Sequence, residues 1–265
     1  MRFRVTQHDA VPTTNGIVKD FIRAGAPEGL VVAAFKQTAG YGRQGRAWVS
    51  PYGGLYVSFL LRPNMPSEHL STIALVVALA VRDAIEHVLA ARGVGIPADL
   101  KVKWPNDVVC ARGKLCGISS EMLHGALCIG IGVNVFAPHD AVDVGGKNVP
   151  AYVSEFLPGA CRAVAGDALS DEERQLLELV RDRLVAALDE RYDSWLRDGF
   201  SSCIDDFRSS MAMLGSQVEV TRRDGSVMAS GMVAGLDDAG CLLLRDAAGN
   251  VIPVASGEAH ISSIS

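Results

Sequence analysis

Apolar positions along the first two hundred residues alternate between helical and strand spacing. Ile17, Val18, Phe21 and Ile22 recur at helical steps behind Thr13, Thr14 and Asn15, whose short polar side chains suit a helix N-terminus. An unbroken apolar run at 30–35, and one at 55–61 interrupted only by Ser58, have the length of buried strands. Residues 67–91 predict one long helix. Short strand patterns follow at 100–103, 108–110, 114–122 and 127–135, with turns at Arg112-Gly113 and His124-Gly125. Residues 170–197 are an amphipathic helix on which Leu177, Val180, Leu184, Leu188, Tyr192 and Trp195 fall at steps of three and four. Asp171, Glu172 and Glu173 stand in its first turn, where negative charge suits the helix dipole.

After Phe207 the texture changes. Short strand signals at 218–220, 227–236, 241–244, 251–254 and Ile261 are punctuated by Asp224-Gly225, Ala239-Gly240 and Gly249-Asn250. Strands this short and close, with no helix between them, predict a small β-barrel. The expected organisation is therefore α+β: a larger domain over 1–210 and a barrel over 211–265.

Composition narrows the function. Of 265 residues, 49% are hydrophobic and 21% charged, which is globular rather than disordered. The net charge of −5 argues against nucleic acid and anionic membrane as partners. The longest apolar run, 73–81, is too short to span a bilayer, and the first ten residues lack a secretory apolar segment. Cys110, Cys116, Cys128, Cys161, Cys203 and Cys241 are scattered, with no C-x-x-C pair, and read as reduced thiols of a cytoplasmic protein. The histidines form no zinc motif, so no metal site held by protein alone is expected.

Four segments carry chemistry. The first, Gln37-Thr-Ala-Gly-Tyr-Gly-Arg-Gln-Gly-Arg-Ala-Trp48, contains a G-x-G-x-x-G string. Its context is wrong for a dinucleotide fold, because Pro51 and Gly53-Gly54 follow instead of a helix. Its glycines still expose backbone N–H groups to an anion. No Asp or Glu occurs from Gly29 through Ser67, while Lys36, Arg43, Arg46 and Arg62 do, so the field there is positive. A solvated basic loop is the plain alternative. The second segment, Lys101-Val-Lys-Trp-Pro-Asn-Asp107, sets Lys103, Asn106 and Asp107 around a proline turn. Such a group orients an amine, a ribose or a hydrated Mg²⁺, or simply makes a turn. The third, Lys114-Leu-Cys-Gly-Ile118, sets a lysine at a strand start, either a cation aimed at the site or a solvated strand end, with Glu121 farther along. The fourth, Gly130-Ile-Gly-Val-Asn134, has strand glycines that suit a flat ligand against the backbone, or a bulge. No nucleophile paired with a base emerges; Cys116 reads as a buried structural thiol.

These four segments, in this order, resemble the biotin–protein ligase family. The resemblance runs by motif from about Thr13 to Asn134 and more loosely through the C-terminal strands. It implies a class II synthetase-like mixed-sheet catalytic domain with a small C-terminal SH3-like β-barrel. It implies that biotin is activated by ATP with Mg²⁺ to biotinyl-5′-AMP, then transferred to a lysine of a biotin carboxyl carrier domain of biotin-dependent carboxylases. By the resemblance, Thr13, Thr14, Gln37, Gly40 and Tyr41 bind biotin, and Gly117 and Gly130 offer backbone to its rings. Arg43 and Lys114 serve both biotin and nucleotide. Arg46, Trp48, Lys103, Asn106 and Asn134 face the adenylate, and Asp107 orients the acceptor amine or Mg²⁺. Arg43, Lys114 and Asp107 are the expected catalytic residues. Tyr41 stands where the family often carries arginine. Some relatives carry an N-terminal DNA-binding domain; only about a dozen residues precede Thr13, so an enzyme without repressor function is expected. An exposed strand edge over 114–135 is a candidate homodimer surface. The competing readings are a lipoate or octanoate ligase and a non-catalytic biotin binder.

Overall fold

A computed structural model describes residues 2–138, 149–159, 164 and 168–261. In chain order its elements are β1 (Arg4–Val11), α1 (Thr14–Arg23), β2 (Leu30–Gln37), β3 (Gly54–Leu61), α2 (Ile73–Ala91), β4 (Lys101–Lys103), β5 (Asp107–Cys110), β6 (Gly113–Leu123), β7 (Ala126–Asn134), α3 (Asp171–Asp198), α4 (Ile204–Ser210), β8 (Gln217–Thr221), β9 (Val227–Leu236), β10 (Leu242–Arg245), β11 (Val251–Val254) and β12 (Glu258–Ile261).

Seven strands form a mixed sheet in the order β1-β2-β3-β7-β6-β5-β4. β1 runs parallel to β2, and the other pairings in this sheet are antiparallel. Strand alternation divides the side chains between two faces. Phe35, Leu55, Val57, Phe59, Ile129 and Ile131 belong to the large core that includes α2 and α3. Val32, Leu60 and Cys128 point the other way, onto Val18 and Ile22 of α1. Along β7 the same alternation puts Gly130, Gly132 and Asn134 on the α1 face. The small helix α1 covers only part of that face, which leaves the glycine end of β6 and β7 open to form a site.

Five strands form a second, antiparallel sheet in the order β11-β10-β9-β8-β12. The end strands β11 and β12 do not pair with each other among the described residues, so the expected closed barrel is not observed and the unit is a five-stranded sheet. Its inward residues Val218, Val220, Val233, Leu242 and Leu244 continue the large core. Polar ties hold the second sheet to the preceding elements: Trp104 Nε1, in the β4–β5 turn, donates to the Gly240 carbonyl at 3.0 Å, and Arg208 Nη2 of α4 to that of Leu236 at 2.8 Å.

Three local features differ from expectation. β1 has no counterpart among the expected strands because it is a mostly exposed edge strand of polar sequence. It is held by pairing with β2 and by Arg174 and Arg181 of α3, which reach Asp9 and Gln7. The first six residues of the expected 67–91 helix, Ser67–Thr72, form a 3-10 segment after Pro66. α4 is a single short helix, too brief to show a period. Caps also divide. Ser170 caps α3 reciprocally with Glu173, whereas Thr13 stands at the N-cap of α1 without a side-chain capping bond. Cys110, Cys116, Cys128, Cys203 and Cys241 are free thiols; Cys161 lies outside the described residues. No helix among the described residues is long and apolar enough to cross a membrane.

Candidate active site

A cavity of about 430 Å³ opens on the α1 face of the large sheet. Thr14, Gln37, Tyr41, Arg43, Arg46, Trp48, Lys103, Asn106, Asp107, Lys114, Gly117, Gly130 and Asn134 all line it. Of the residues assigned to ligand binding by the resemblance, Thr13 and Gly40 do not. Thr13 sits at the start of α1, and Gly40 packs at the base of the loop, where a Cβ would lie 2.3 Å from Ser50 Oγ.

The floor is polar at one end. The α1 face of β3 and β6 brings Ser58 and Ser119 beneath the first turn of α1. Ser58 Oγ contacts Thr14 Oγ1 at 2.7 Å and Asn15 Oδ1 at 2.6 Å, and Asn15 Nδ2 donates to Ser119 Oγ at 3.3 Å. Gln37, at the end of β2, accepts at Oε1 from the Thr14 N–H at 2.8 Å and donates through Nε2 to Ser50 Oγ at 3.1 Å. These donors and acceptors are held by one another, and all but the half-buried Gln37 are buried, so they form a rigid polar end to the slot.

The middle of the floor is backbone. Gly117 pairs with Gly132 across β6 and β7, and Gly130 follows two positions along. The Trp48 ring lies over this strip: a Cβ at Gly117 would meet Cζ3 at 3.0 Å, and one at Gly132 would meet Nε1 at 2.6 Å. Trp48 Nε1 is buried there and has no hydrogen-bond partner among the described residues. Alternative side chains on these glycines would close the slot that the flat ring now fills.

The far end is cationic. Lys114 Nζ lies 2.7 Å from Asp107 Oδ1 and 5.2 Å from the Trp48 ring centroid. Asn134 Nδ2 donates to the Lys114 carbonyl at 2.9 Å, fixing the strand start that carries the lysine. Arg43 Nη1 donates to Asn106 Oδ1 at 2.8 Å, and Asn106 Nδ2 in turn donates to the Ile118 carbonyl at 2.7 Å. Trp104-Pro105 is a cis peptide bond in the turn that presents Asn106 and Asp107. Burial lowers the pKa of Arg43 and of Lys103; nearby Glu258 and Asp107 oppose the shift at Arg43, and Asp107 opposes it at Lys103. Burial pushes the Cys116 thiol far up, which removes it as a nucleophile near neutral pH.

The 38–50 loop closes the cavity from above. It folds back on itself through Gly42 N–H to the Arg46 carbonyl at 2.8 Å and Trp48 N–H to the Gly40 carbonyl at 3.0 Å. Its tip turns at Gln44 and Gly45, with φ of 59° and 74°. Arg46 pairs with Glu258 of β12, so the second sheet grips the loop. Arg222 and Arg223, on the β8–β9 turn, also line the cavity mouth.

Several lining residues escaped the sequence reading. Asn15 is one helical residue beyond the singled-out threonines. Ser119 is one strand period from Gly117, so strand alternation alone pointed to it, whereas Gly132 already belonged to the strand glycines of the fourth segment. The contributions of Arg222, Arg223 and Glu258 had no local signal, because only the packing of the second sheet brings them there.

Residues 8–135 match the Biotin/lipoate A/B protein ligase family, and residues 213–260 match the Biotin protein ligase C terminal domain. The chain is 34% identical to the biotin–[acetyl-CoA-carboxylase] ligase of Paracoccus denitrificans, over 84% of this chain and 88% of that protein. It is 30% identical to the bifunctional ligase/repressor BirA of Bacillus subtilis, over 90% of this chain and 68% of that protein. Its fold superposes on the biotin protein ligase of Aquifex aeolicus, solved in complex with biotin and ATP, with a TM-score of 0.77 at 25% identity, covering 98% of each chain.

Proposed function

The chain is an enzyme of the biotin–protein ligase family, and from that premise we propose that it joins biotin to a carrier lysine through biotinyl-5′-AMP. One observation supports this most: a polar end, a glycine strip and a cluster of cations follow one another along a single cavity. That order matches a molecule with a hydrogen-bonding ring system, an apolar body and an acyl phosphate.

In this reading the ureido ring of biotin meets Thr14, Gln37 and the Asn15–Ser58–Ser119 network. Its bicycle lies on Gly117, Gly130 and Gly132, and the Trp48 ring moves toward the adenine as ligands enter. A carboxylate oxygen of biotin attacks the α-phosphorus of ATP, the bond to the β-phosphate oxygen breaks, and pyrophosphate leaves. Lys114 and Arg43 offset the approach of like charges and the charge that builds on the phosphoryl oxygens. The acceptor amine then attacks the acyl carbon, AMP departs, and an amide forms. Asp107, between Lys103 and Lys114, orients the incoming amine.

Mg²⁺ enters with the triphosphate. Asp107 Oδ1 is a buried carboxylate oxygen with no aligned hydrogen bond despite its contact with Lys114, whereas Asn106 Oδ1 is engaged by Arg43. A single carboxylate oxygen suits a hard cation that keeps its phosphate and water ligands. Bound there, the ion would neutralise phosphate charge. The division near residue 210, with the catalytic machinery before it and an accessory sheet after it, belongs to the same proposal, as do carboxylase carrier domains as partners and a cytoplasmic setting.

The test is direct. Protein, ATP, Mg²⁺, biotin and a carrier domain are mixed, and carrier biotinylation and pyrophosphate release are followed; absence of both refutes the proposal. Substituting lipoate for biotin separates the related ligase chemistry, because a lipoate ligase would transfer that acid instead.

A further inference from the structure

Tyr41 leaves the loop toward a cluster beside the cavity. Its hydroxyl accepts from Lys19 Nζ at 2.8 Å and donates to Glu121 Oε1 at 3.1 Å. Lys19 Nζ lies 2.6 Å from Glu121 Oε2 and 5.1 Å from the Tyr41 ring centroid. The carboxylate thus engages the ammonium with one oxygen and the phenol with the other.

The placement follows from two periods. Lys19 is four residues beyond Asn15 on α1, and Glu121 is two beyond Ser119 on β6. Four helical residues rise about 6 Å and two strand residues about 7 Å. Asn15–Ser119 and Lys19–Glu121 are therefore successive rungs between the same helix and strand. The inner rung is the polar end of the cavity floor. The outer rung is closed by Tyr41, three residues before the Gln44 turn at the loop tip and two before Arg43.

We infer that Tyr41 is a positioning residue: it fastens the 38–50 loop to the outer α1–β6 rung, and so holds Arg43 over the cavity before ligand arrives. A phenol suits this role because it accepts from an ammonium and donates to a carboxylate at once. Phenylalanine does neither, and an arginine would face Lys19 as a like charge without being able to accept. The protonation states agree with the geometry. Burial raises the pKa of Tyr41, so the phenol keeps its proton. Burial opposes the charge on Lys19, but its bonds to Glu121 and Tyr41 outweigh that and raise its pKa. What the loop encloses rests on the proposed function; how it is held does not.

The experiment uses the full chain without ligand. Trypsin cleaves after arginine, and Arg43 and Arg46 stand in the loop. Tyr41→Phe is expected to accelerate nicking at these two sites about five-fold, the scale of losing hydrogen bonds that tie a loop down. The thermal midpoint should move by less than about 2 °C. Lys19→Met should accelerate nicking similarly, and the double variant should add little, because one latch is already open. If Tyr41→Phe unfolds, Glu121→Gln carries the same expectation with the ring intact. In the active enzyme, the same variants should raise KM for biotin several-fold with a smaller change in kcat, which a loss of general stability would not do. Unchanged nicking in Tyr41→Phe, or fully additive effects with Lys19→Met, overturns the latch. A wild-type chain that makes no biotinyl-AMP would overturn the proposed function instead, while the nicking result would still decide the latch.

Discussion

Replacing Gly130 with alanine puts one methyl group where the structure has no room for it. Its Cβ would lie 2.3 Å from Asn15 Oδ1, 2.6 Å from Ser119 Oγ and 2.7 Å from Asn15 Nδ2. Asn15 is 4% exposed and Ser119 5%, so neither swings out to solvent. Reaching an ordinary contact requires the Asn15 amide to withdraw by about 1 Å, which breaks its 2.6 Å bond with Ser58 and its 3.3 Å bond to Ser119. Buried groups left unpaired cost roughly 1–3 kcal/mol. About 2 kcal/mol corresponds to a fall in Tm of about 4–8 °C for a chain of this size. Gly132→Ala is the contrast. Its Cβ meets the Trp48 ring, which rides on the loop and can lift away, so Tm should fall by less than about 2 °C. Calorimetric titration with biotin should show both variants weakened about 10- to 100-fold, the equivalent of roughly 1.4–2.8 kcal/mol of lost fit. An unchanged Tm in Gly130→Ala would refute the rigidity ascribed to the Asn15 network. Normal biotin affinity in both variants would refute the placement of the ligand on the glycine strip.

Lys114→Ala should reduce adenylate formation by about 10²-fold or more, read as pyrophosphate release, since it removes the cation nearest the proposed acyl phosphate. Burial holds Lys103 below the ordinary lysine pKa, with Asp107 opposing, so its charge is lost earlier than a free lysine's as pH rises. Affinity for ATP should thus be full near neutral pH and decline on the alkaline side, and Lys103→Met should flatten that decline in KM measured against pH. The sign for folding is opposite: the unfolded chain holds the proton more tightly, so this group's contribution to stability rises with pH through the same window. Cys128, pushed up to about 12 by burial, and Cys116, pushed higher still, should resist iodoacetamide at pH 8 until the protein unfolds, checked by peptide mapping.

Much of the architecture was legible because it follows from local period. The strands at β2, β3, β6 and β7 are apolar runs or alternations, and the His124-Gly125 turn joins Leu123 to Ala126 with both turn residues at positive φ. β1 was not legible, because an exposed parallel edge takes its structure from its partner rather than from its own composition. Nor was it legible that β11 and β12 stay unpaired with each other among the described residues. Five short strands give the same pattern whether or not the last closes on the fourth, and closure depends on twist and register that no strand encodes alone. Within the cavity, Trp48 was legible as a nearby aromatic but not as a ring laid flat on Gly117 and Gly132.

By itself, the chain determined most of the elements, the family resemblance and the chemistry available: glycines for close approach, an acid-free basic loop, and a Lys-Asn-Asp turn. These are properties of short segments, where backbone freedom and residue type act within a few positions. Only the tertiary structure decided which partner each charge found. Lys114 settled on Asp107 within its own sheet, Arg46 on Glu258 more than two hundred residues away, and Tyr41 on a lysine and a glutamate from two other elements. Side chains that reach several ångströms are neutralised by whatever packing brings near, and packing is a property of the whole sheet and its helices rather than of any segment.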